Sequence, residues 1–428
     1  MVRLVIIADD FTGALDTGVQ FSKNAVNTLI LQYKDLDFSK IDESVQVVVV
    51  DTESRHVSGK EAAARVKEAA VKALRAGVCF FYKKTDSALR GNIGSELLAV
   101  MEATGAGELM FIPAYPDAGR TTVNGCQFIN RIPIDETSFS RDPLDPVTSC
   151  YIPHIIKNQA DIKVTVTGRD DMDKVCIPGD AENNEKEIFV FNAETNGEMT
   201  EIAGFLKGER KLRLTAGCAG FANTLLEVLD LEKSYRPEAH RTKGRMLTVC
   251  GSINEFSLQQ VKYAENNNFS SVTFNTCHKL KHGFFKAGEG KEWKDRIVEM
   301  LDDGRDVIVK TIDSEDDEED CREHARKLQI DEDMIPYVIS KNIGDLVGEV
   351  ASKTRLGTLI VFGGDTAAEV VESLGFYGVA PQDEILTGVV LSEALGKGEN
   401  VNLITKSGGF GQEDVLVNIK EYIDKHWG

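Results

Sequence analysis

Residues 83–97 read Lys-Lys-Thr-Asp-Ser-Ala-Leu-Arg-Gly-Asn-Ile-Gly-Ser-Glu-Leu and give the clearest indication of the fold. The apolar run 78–82 before them is typical of a buried parallel strand, and the apolar spacing over 93–104 predicts a helix that packs on a sheet. In open α/β sheets, ligands bind beyond the carboxyl ends of the strands, where this connection would lie. Because it carries lysines, hydroxyls, an aspartate and an arginine, we interpret it as a loop that binds a small anion.

Polar loops follow three further predicted strands of the first half. The first strand ends in Asp9 and Asp10, the second is followed by Arg55, and the fourth by a loop that contains Arg120. Since parallel strands end at one edge of a sheet, we expect these side chains to lie near loop 83–90. Two adjacent carboxylates there suit a substrate hydroxyl or a divalent metal. The alternative is that both acids only stabilise the start of the following helix.

The chain length and one polar stretch predict the domain organisation. A chain of 428 residues suggests two or three domains. Residues 131–147 are irregular and predict a long ordered loop of the kind that is often functional. The chain turns polar over 230–243, where we place a linker between an N-terminal domain, 1–229, and a C-terminal domain, 244–428. We expect an α/β fold in which each domain is a mainly parallel sheet flanked by helices, with the active site in the cleft between them.

Three strand ends in the second half carry glycines and small polar residues that lead into helices: 251–252, 363–366 and 407–411. Glycine lets a ligand approach the backbone closely, and the N–H groups at the start of a helix bind phosphate. Together the three favour phosphate binding over the alternative that the glycines only permit tight packing. The Gly-x-x-x-x-Gly-Lys-Ser/Thr motif is absent, so the sequence does not predict a P-loop protein.

Composition limits the partners. With 49 basic and 69 acidic residues the formal net charge is −20, which disfavours nucleic acid and anionic membrane surfaces as partners. No apolar run approaches the roughly 20 residues of a membrane span. The eight cysteines include no Cys-x-x-Cys pair, which argues against a zinc site and against a disulfide framework. Reduced thiols and the absence of a basic and then apolar leader predict a cytoplasmic protein. A homodimer is left open.

Five motifs resemble those of the four-carbon acid sugar kinase family, and the resemblance extends over essentially the whole chain. They are Ile-Ala-Asp-Asp-Phe-Thr-Gly-Ala-Leu-Asp-Thr-Gly (7–18), Lys-Lys-Thr-Asp-Ser-Ala-Leu-Arg-Gly-Asn-Ile-Gly (83–94), Pro-Ala-Tyr-Pro-Asp-Ala-Gly-Arg-Thr-Thr (113–122), Gly-Gly-Asp-Thr-Ala (363–367) and Lys-Ser-Gly-Gly-Phe-Gly (406–411). The resemblance implies an N-terminal domain that binds a sugar acid and a C-terminal domain that binds ATP. It also implies transfer of the γ-phosphoryl group to the terminal hydroxyl of the acid, with Mg²⁺ on the ATP phosphates.

The resemblance also implies which residues form the site. It implies substrate contacts at Asp9, Asp10, Arg55, Lys84, Thr85, Asp86, Ser87 and Arg90. It implies nucleotide contacts at Ser252, Gly363, Gly364, Asp365, Ser407, Gly408, Gly409 and Phe410. Asp86 or Asp10 would orient the attacking hydroxyl and accept its proton, as the catalytic residue. The metal ligands are left open.

Within the family, loop 83–92 is similar to that of the threonate kinases, which implies conversion of D-threonate to D-threonate 4-phosphate. The alternatives are a kinase for 3-oxotetronate or D-erythronate, and a non-catalytic sensor that binds nucleotide and sugar acid. A metal-dependent hydrolase that uses Asp9 and Asp10 is a third alternative. It would release phosphate without an acceptor acid.

Overall fold

The computed structural model describes residues 1–142, 144–176, 186–235, 245–251, 255–288, 290–311, 316–396, 401–408 and 410–427. The chain divides into two compact units, Met1–Arg236 and Pro237–Gly428. This division falls inside the stretch 230–243 that we predicted to be the linker. Residues 236–244 lie outside the described residues, so the linker itself stays a prediction.

The first unit contains a parallel sheet, flanking helices and a small antiparallel sheet. Its strands are β1 (Leu4–Ala8), β2 (Thr28–Gln32), β3 (Val47–Asp51), β4 (Phe80–Lys84), β5 (Glu108–Ile112), β6 (Arg120–Val123), β7 (Cys126–Ile129), β8 (Ile132–Pro133), β9 (Lys163–Thr167), β10 (Glu187–Phe191) and β11 (Leu214–Gly217). Its helices are α1 (Phe11–Ser22), α2 (Gly59–Arg75), α3 (Ile93–Thr104), α4 (Ile152–Lys157), α5 (Asn196–Gly208) and α6 (Ala219–Val228). The parallel strands pair in the order β2-β3-β1-β4-β11-β5-β10-β9, and β6, β7 and β8 form the antiparallel sheet.

The register of the central strands places their carboxyl ends at one level. Ala8 of β1 pairs with both Asp51 of β3 and Lys84 of β4, and Lys84 pairs with Gly217 of β11. β1, β3 and all but the first residue of β4 are buried, which fits their aliphatic, β-branched and aromatic sequences. The loops that follow β1, β3 and β4 therefore start at the same edge, as the sequence predicted.

The second unit contains the other mainly parallel sheet. Its strands are β12 (Arg245–Cys250), β13 (Ser270–Thr273), β14 (Val307–Lys310), β15 (Leu356–Phe362), β16 (Phe376–Leu386), β17 (Val389–Gly396) and β18 (Asn402–Lys406). Its helices are α7 (Glu255–Asn266), α8 (Thr276–Lys279), α9 (Lys291–Asp302), α10 (Asp316–Lys327), α11 (Ile335–Ala351), α12 (Gly364–Ser373) and α13 (Val415–Trp427). The strands pair in the order β13-β14-β12-β15-β18-β17-β16, with β17 antiparallel to both of its neighbours.

The predicted α/β class is confirmed in both units, with one addition. The hairpin of β16 and β17 was not predicted, and it gives the parallel sheet of the second unit an antiparallel edge. Gly388 forms the tight connection of this hairpin with a φ of +75°, a conformation that glycine adopts without steric cost. Within the described ranges, no helix has both the length and the apolar sequence that crossing a membrane requires.

Candidate active site

Arg55 is the centre of a charged cluster at the carboxyl edge of the first sheet. Its Nε lies 2.7 Å from Oδ2 of Asp9, and one terminal nitrogen lies 2.6 Å from Oδ1 of Asp10. The same nitrogen lies 3.8 Å from Oδ1 of Asp86. The structure thus brings together side chains from three of the polar loops that the sequence indicated, around a guanidinium that is itself buried.

Burial and charge have opposite effects on these carboxylates. Burial alone would raise the pKa of Asp9, but the positive charges of Arg55 and the two neighbouring lysines lower it to about 2. Burial would likewise raise the pKa of Asp86, yet Arg90 and Arg55 hold it well below its usual range. Both carboxylates are therefore ionised at neutral pH, and Asp86 is a weak proton acceptor.

Asp10 stabilises the start of α1 and also contacts Arg55 of the charged cluster. Its Oδ1 accepts a hydrogen bond from the backbone N–H of Gly13 at 3.0 Å and caps α1, while its Oδ2 accepts one from the Thr12 hydroxyl at 2.7 Å. The same Oδ1 is paired with Arg55. Asp10 therefore starts the helix and belongs to the charged cluster at once.

Asp86 and Arg90 hold each other in place. The Asp86 carboxylate accepts hydrogen bonds from Nε of Arg90 at 2.8 Å and from a terminal nitrogen at 3.1 Å, and from the backbone N–H groups of Ala88 and Arg90 at 3.2 Å. The other terminal nitrogen of Arg90 donates to Asp142 at 3.0 Å, and its guanidinium lies 5.1 Å from the centre of the Phe139 ring. The donors of Arg90 are thus engaged within the protein, which favours a positioning role. Its predicted contact with substrate stays a prediction.

Asn92 was not predicted as a site residue, although it lies in the quoted motif. Its amide nitrogen lies 2.9 Å from the carbonyl oxygen of Ser54, 3.3 Å from that of Arg55 and 2.8 Å from that of Val57. One side chain thus fastens the loop that carries Arg55 to the loop that carries Asp86. The tight turn at Gly91, with a φ of +80°, makes this approach possible, since a Cβ there would lie 3.0 Å from Cγ of Arg55.

The two adjacent lysines of β4 have different environments. Lys83 is fully buried, and its ammonium lies 2.8 Å from Oε2 of Glu96 and donates to the Lys84 carbonyl at 2.6 Å. Glu96 also accepts a hydrogen bond from the Ser54 hydroxyl. Lys84 is only 5% exposed, and its charge lowers the pKa of Asp9 and of Asp86, although its ammonium makes no hydrogen bond or ion pair with a residue that the structure describes. Lys83 therefore belongs to the core, and Lys84 is left with a charge that a ligand can satisfy.

Two buried polar atoms accompany Lys84 at this edge. Oδ1 of Asp9 and Oγ1 of Thr85 have no hydrogen-bond partner among the described residues. Each follows the last residue of its strand, and those last residues, Ala8 and Lys84, are paired. Buried polar groups in proteins nearly always have partners, so unmet atoms at a strand edge are available to a polar ligand or to water. Ser87, the remaining predicted residue, is half-buried, and its carbonyl accepts a hydrogen bond from Gln127 at 3.4 Å.

The glycine-rich strand ends of the second unit lie side by side. Gly363 caps α12 with a φ of +95°, and its N–H donates to the carbonyl of Lys406, the last residue of β18, at 3.1 Å. A Cβ on Gly408 would meet no atom within 4 Å, so the backbone is open to a ligand there. Gly364 and Asp365 form the first turn of α12. Of the other predicted nucleotide contacts, Ser252 and Gly409 lie outside the described residues.

Ser407 and Phe410 belong to a loop with defined backbone contacts. The N–H of Ser407 donates to the carbonyl of Gly388 at 2.9 Å, and that of Phe410 donates to the carbonyl of Ser407 at 3.2 Å. The amide of Gln260, which was not predicted, donates to the carbonyls of Phe410 and Gly411 at 3.1 and 3.0 Å. Gln260 therefore fastens Phe410 and Gly411 to α7.

Lys406 is a further residue that sequence reasoning did not select. Its ammonium donates to the Gly408 carbonyl at 3.0 Å and lies 4.8 Å from the centre of the Phe362 ring. Burial lowers the pKa of Lys406 to about 8, so the amine still carries a proton in most molecules at neutral pH. Its position in the Lys-Ser-Gly-Gly motif was the available signal.

Two family models match the chain, one within each of the two units. Residues 4–225 match the family model of a sugar-binding N-terminal domain, and residues 247–416 match that of a nucleotide-binding C-terminal domain. The chain is 28% identical to a D-threonate kinase of Salmonella typhimurium over 99% of both chains. It is 28% identical to a D-erythronate kinase of Heliobacterium modesticaldum, covering 99% of this chain and 97% of the relative. It is 25% identical to a 3-oxo-tetronate kinase of Actinobacillus succinogenes, covering 96% and 98%.

Solved structures show the same fold. A crystal structure from Salmonella typhimurium LT2 superimposes with a TM-score of 0.81 at 21% identity and covers 99% of this chain and 100% of its own. One from Haemophilus influenzae gives a TM-score of 0.71, also at 21% identity and with the same coverage. At this identity the likeness concerns the fold alone.

Proposed function

The chain belongs to the four-carbon acid sugar kinase family, and on that premise we propose that it transfers the γ-phosphoryl group of ATP to the terminal hydroxyl of D-threonate, giving D-threonate 4-phosphate. The observation that carries the acid site is the buried Lys84 ammonium, which has no hydrogen bond or ion pair with a described residue and lies at the same strand edge as the unmet oxygens of Asp9 and Thr85. The choice of D-threonate rests on the motif 83–92 and on the likeness to the D-threonate kinase of Salmonella typhimurium.

The acid site is proposed to recognise both ends of a short hydroxy acid. Lys84 supplies a charged donor for the carboxylate, and burial from water strengthens that pairing. Oδ1 of Asp9 can accept a hydrogen bond from a hydroxyl, and the Thr85 hydroxyl can donate or accept one. Arg55 holds Asp9 in place through Nε, so this acceptor is positioned before the ligand arrives.

Catalysis is proposed to depend on positioning more than on a strong base. The transition state of phosphoryl transfer is loose in most analyses, so the attacking hydroxyl needs orientation and the transferred group needs charge neutralisation. Asp86 and Asp10 are the proposed catalytic carboxylates. The low pKa of Asp86 fits a residue that orients the hydroxyl and takes its proton late.

The nucleotide is proposed to bind the second unit at Gly363, Gly364, Ser407 and Gly408, with its phosphates on the exposed N–H groups of the α12 start. No cluster of three or more potential metal-binding side chains occurs in the part of the chain that the structure describes. This fits Mg²⁺, which takes ligands mainly from phosphates and water and needs only one or two carboxylates. Asp365 is the carboxylate that we expect near it, and the ion would neutralise phosphate charge.

The test is a coupled ATP assay with D-threonate, L-threonate, D-erythronate and 3-oxotetronate as acceptors. We expect the highest kcat/KM with D-threonate. A higher value with D-erythronate or 3-oxotetronate would assign the chain to that kinase instead. Binding of acid and nucleotide without turnover would indicate a sensor, and phosphate release without an acceptor would indicate a hydrolase. Gel filtration would decide whether the chain forms a homodimer, which the sequence left open, and localisation in cells would test the expected cytoplasmic location.

Asp86→Asn is expected to lower kcat by about two orders of magnitude or more, in the range of acid–base and orienting groups. The neutral amide no longer compensates Arg55 and Arg90, while the nucleotide site is untouched, so KM for ATP should stay the same. Asp142→Asn is the matched control, because it removes the other carboxylate partner of Arg90 and should reduce kcat much less. Unchanged turnover in Asp86→Asn would exclude Asp86 from the mechanism.

Gly408→Leu is expected to raise KM for ATP about tenfold or more, a loss of ~1.4 kcal/mol, without a comparable effect on KM for the acid. The side chain would enter space that is open in the protein, so an effect reports on the nucleotide. Gly204→Leu is the control, since that glycine of the first unit also faces open space and should leave both KM values unchanged. A selective rise of KM for the acid would mean that the two domain roles are reversed.

A further inference from the structure

Cys126 and Cys150 lie together although they are far apart in sequence. Their sulfur atoms are 3.0 Å apart, and both residues are partly exposed. The backbones beside them are paired as well, since the N–H of Gln127 donates to the carbonyl of Cys150 and that of Ile152 donates to the carbonyl of Gly125, both at 2.9 Å. The two thiols are thus held in contact by main-chain hydrogen bonds on either side.

The stretch between the two cysteines lies against the acid site. It supplies Asp142 and the Phe139 ring to Arg90, and Asp145 to His56. Its apolar side chains pack on the loop after β4 in one buried cluster, formed by Ala88, Ile129, Ile134 and Val147. Cys150 itself packs against this cluster. A bond between the two sulfurs would therefore close a loop that covers the residues holding Asp86.

We propose that Cys126 and Cys150 form a reversible intrachain disulfide, with a low-molecular-weight disulfide such as oxidised glutathione as the oxidant, and that this bond fastens residues 127–149 over the acid site. The sulfurs must approach by about 1 Å to reach the bonded length, a change that side-chain rotation can supply. The existence of the bond is independent of the proposed kinase activity. Only its effect on the acid site rests on that function.

The direction of the thiol hydrogen bond orders the two steps. The Cys150 thiol donates to the Cys126 sulfur, and burial together with that neighbour raises the pKa of Cys150 to about 12. Cys126 therefore attacks first as its thiolate, forms a mixed disulfide and releases one thiolate of the oxidant. Cys150 then loses its proton and attacks the Cys126 sulfur, which releases the second. The protein dithiol loses two hydrogens and two electrons, and the oxidant leaves as two thiols.

The first test is treatment of the full chain with oxidised glutathione, followed by intact-mass measurement and peptide mapping without reduction. We expect the loss of two hydrogens and of two titratable thiols, with one cross-linked peptide that joins Cys126 and Cys150. Cys126→Ser and Cys150→Ser should each prevent the cross-link, whereas Cys79→Ser, which removes an exposed thiol outside the pair, should retain it. A persistent glutathione adduct on Cys126, or a cross-link to another cysteine, would overturn the proposal.

The second test addresses the fastening of the segment. Limited proteolysis should cut residues 131–149 more slowly in the oxidised wild type than in the reduced wild type. The serine variants should show no such difference between the two conditions. Equal cleavage of the two wild-type forms would overturn the structural consequence, and the mass measurement would still decide whether the bond forms. A changed KM for the acid on oxidation, absent in the serine variants, would support the link to the acid site.

Discussion

Lys84→Met is expected to lower kcat/KM for the acid by about two to three orders of magnitude, which corresponds to ~3–4 kcal/mol of lost interaction with the acceptor. The variant removes a buried ammonium that has no hydrogen bond or ion pair with the described residues and replaces it with a side chain of similar length. Asp9 and Asp86 attract this ammonium without a direct hydrogen bond or ion pair, so a ligand carboxylate can supply the direct partner that the described residues do not. The loss should therefore appear in catalysis and acid binding.

The free energy of unfolding of Lys84→Met should differ from that of the wild type by less than about 1 kcal/mol. Removing the cost of burying the ammonium offsets the lost attraction to Asp9 and Asp86, whose pKa values Lys84 helps to lower. Steady-state kinetics and urea unfolding on the same samples measure both quantities. Lys84→Arg keeps the charge and should recover part of kcat/KM. Full activity in Lys84→Met would remove Lys84 from the acid site.

Much of the acid site could be predicted from sequence because parallel strands end at one edge. The order of strand, polar loop and helix was sufficient to place Asp9, Arg55 and Asp86 near one another before any contact was known. The glycine pattern likewise indicated the open backbone at Gly408. These inferences need only the type of each element and the direction of its strand, both of which are local properties of the sequence.

The remaining features depend on contacts between distant residues, which a single sequence does not contain. Asn92 contacts three carbonyls of a loop that lies about forty residues earlier, and nothing in its own neighbourhood indicates that target. The cysteine spacing argued against a disulfide framework, yet the fold brings Cys126 and Cys150 into contact. The sequence predicts only that Lys406 ends a strand. The contacts of its ammonium with the Phe362 ring and the Gly408 carbonyl become visible only in the folded structure.

The adjacent lysines of β4 show the same limit most clearly, because the sequence offered both as anion ligands. Side chains alternate between the faces of a strand, so two neighbours cannot share one environment, but the alternation does not say which of them faces the ligand. That depends on Glu96, which α3 places within 2.8 Å of Lys83. The assignment of Lys83 to the core can be tested by replacing Lys83 with Met, as described above for Lys84.

Lys83→Met is expected to lower the free energy of unfolding by about 3–5 kcal/mol, because it leaves the Glu96 carboxylate buried without its cation. Burial raises the pKa of Glu96, and the charge of Lys83 lowers it. Loss of that charge should therefore raise the pKa of Glu96 further. The protonated acid tolerates burial, so the variant should be closest to the wild type at mildly acidic pH and lose stability as the pH rises through that pKa. Urea unfolding at acidic and alkaline pH measures this difference, and Lys83→Met with Glu96→Leu should recover most of it. A Lys83→Met protein as stable as Lys84→Met at every pH would contradict the assignment of Lys83 to the core.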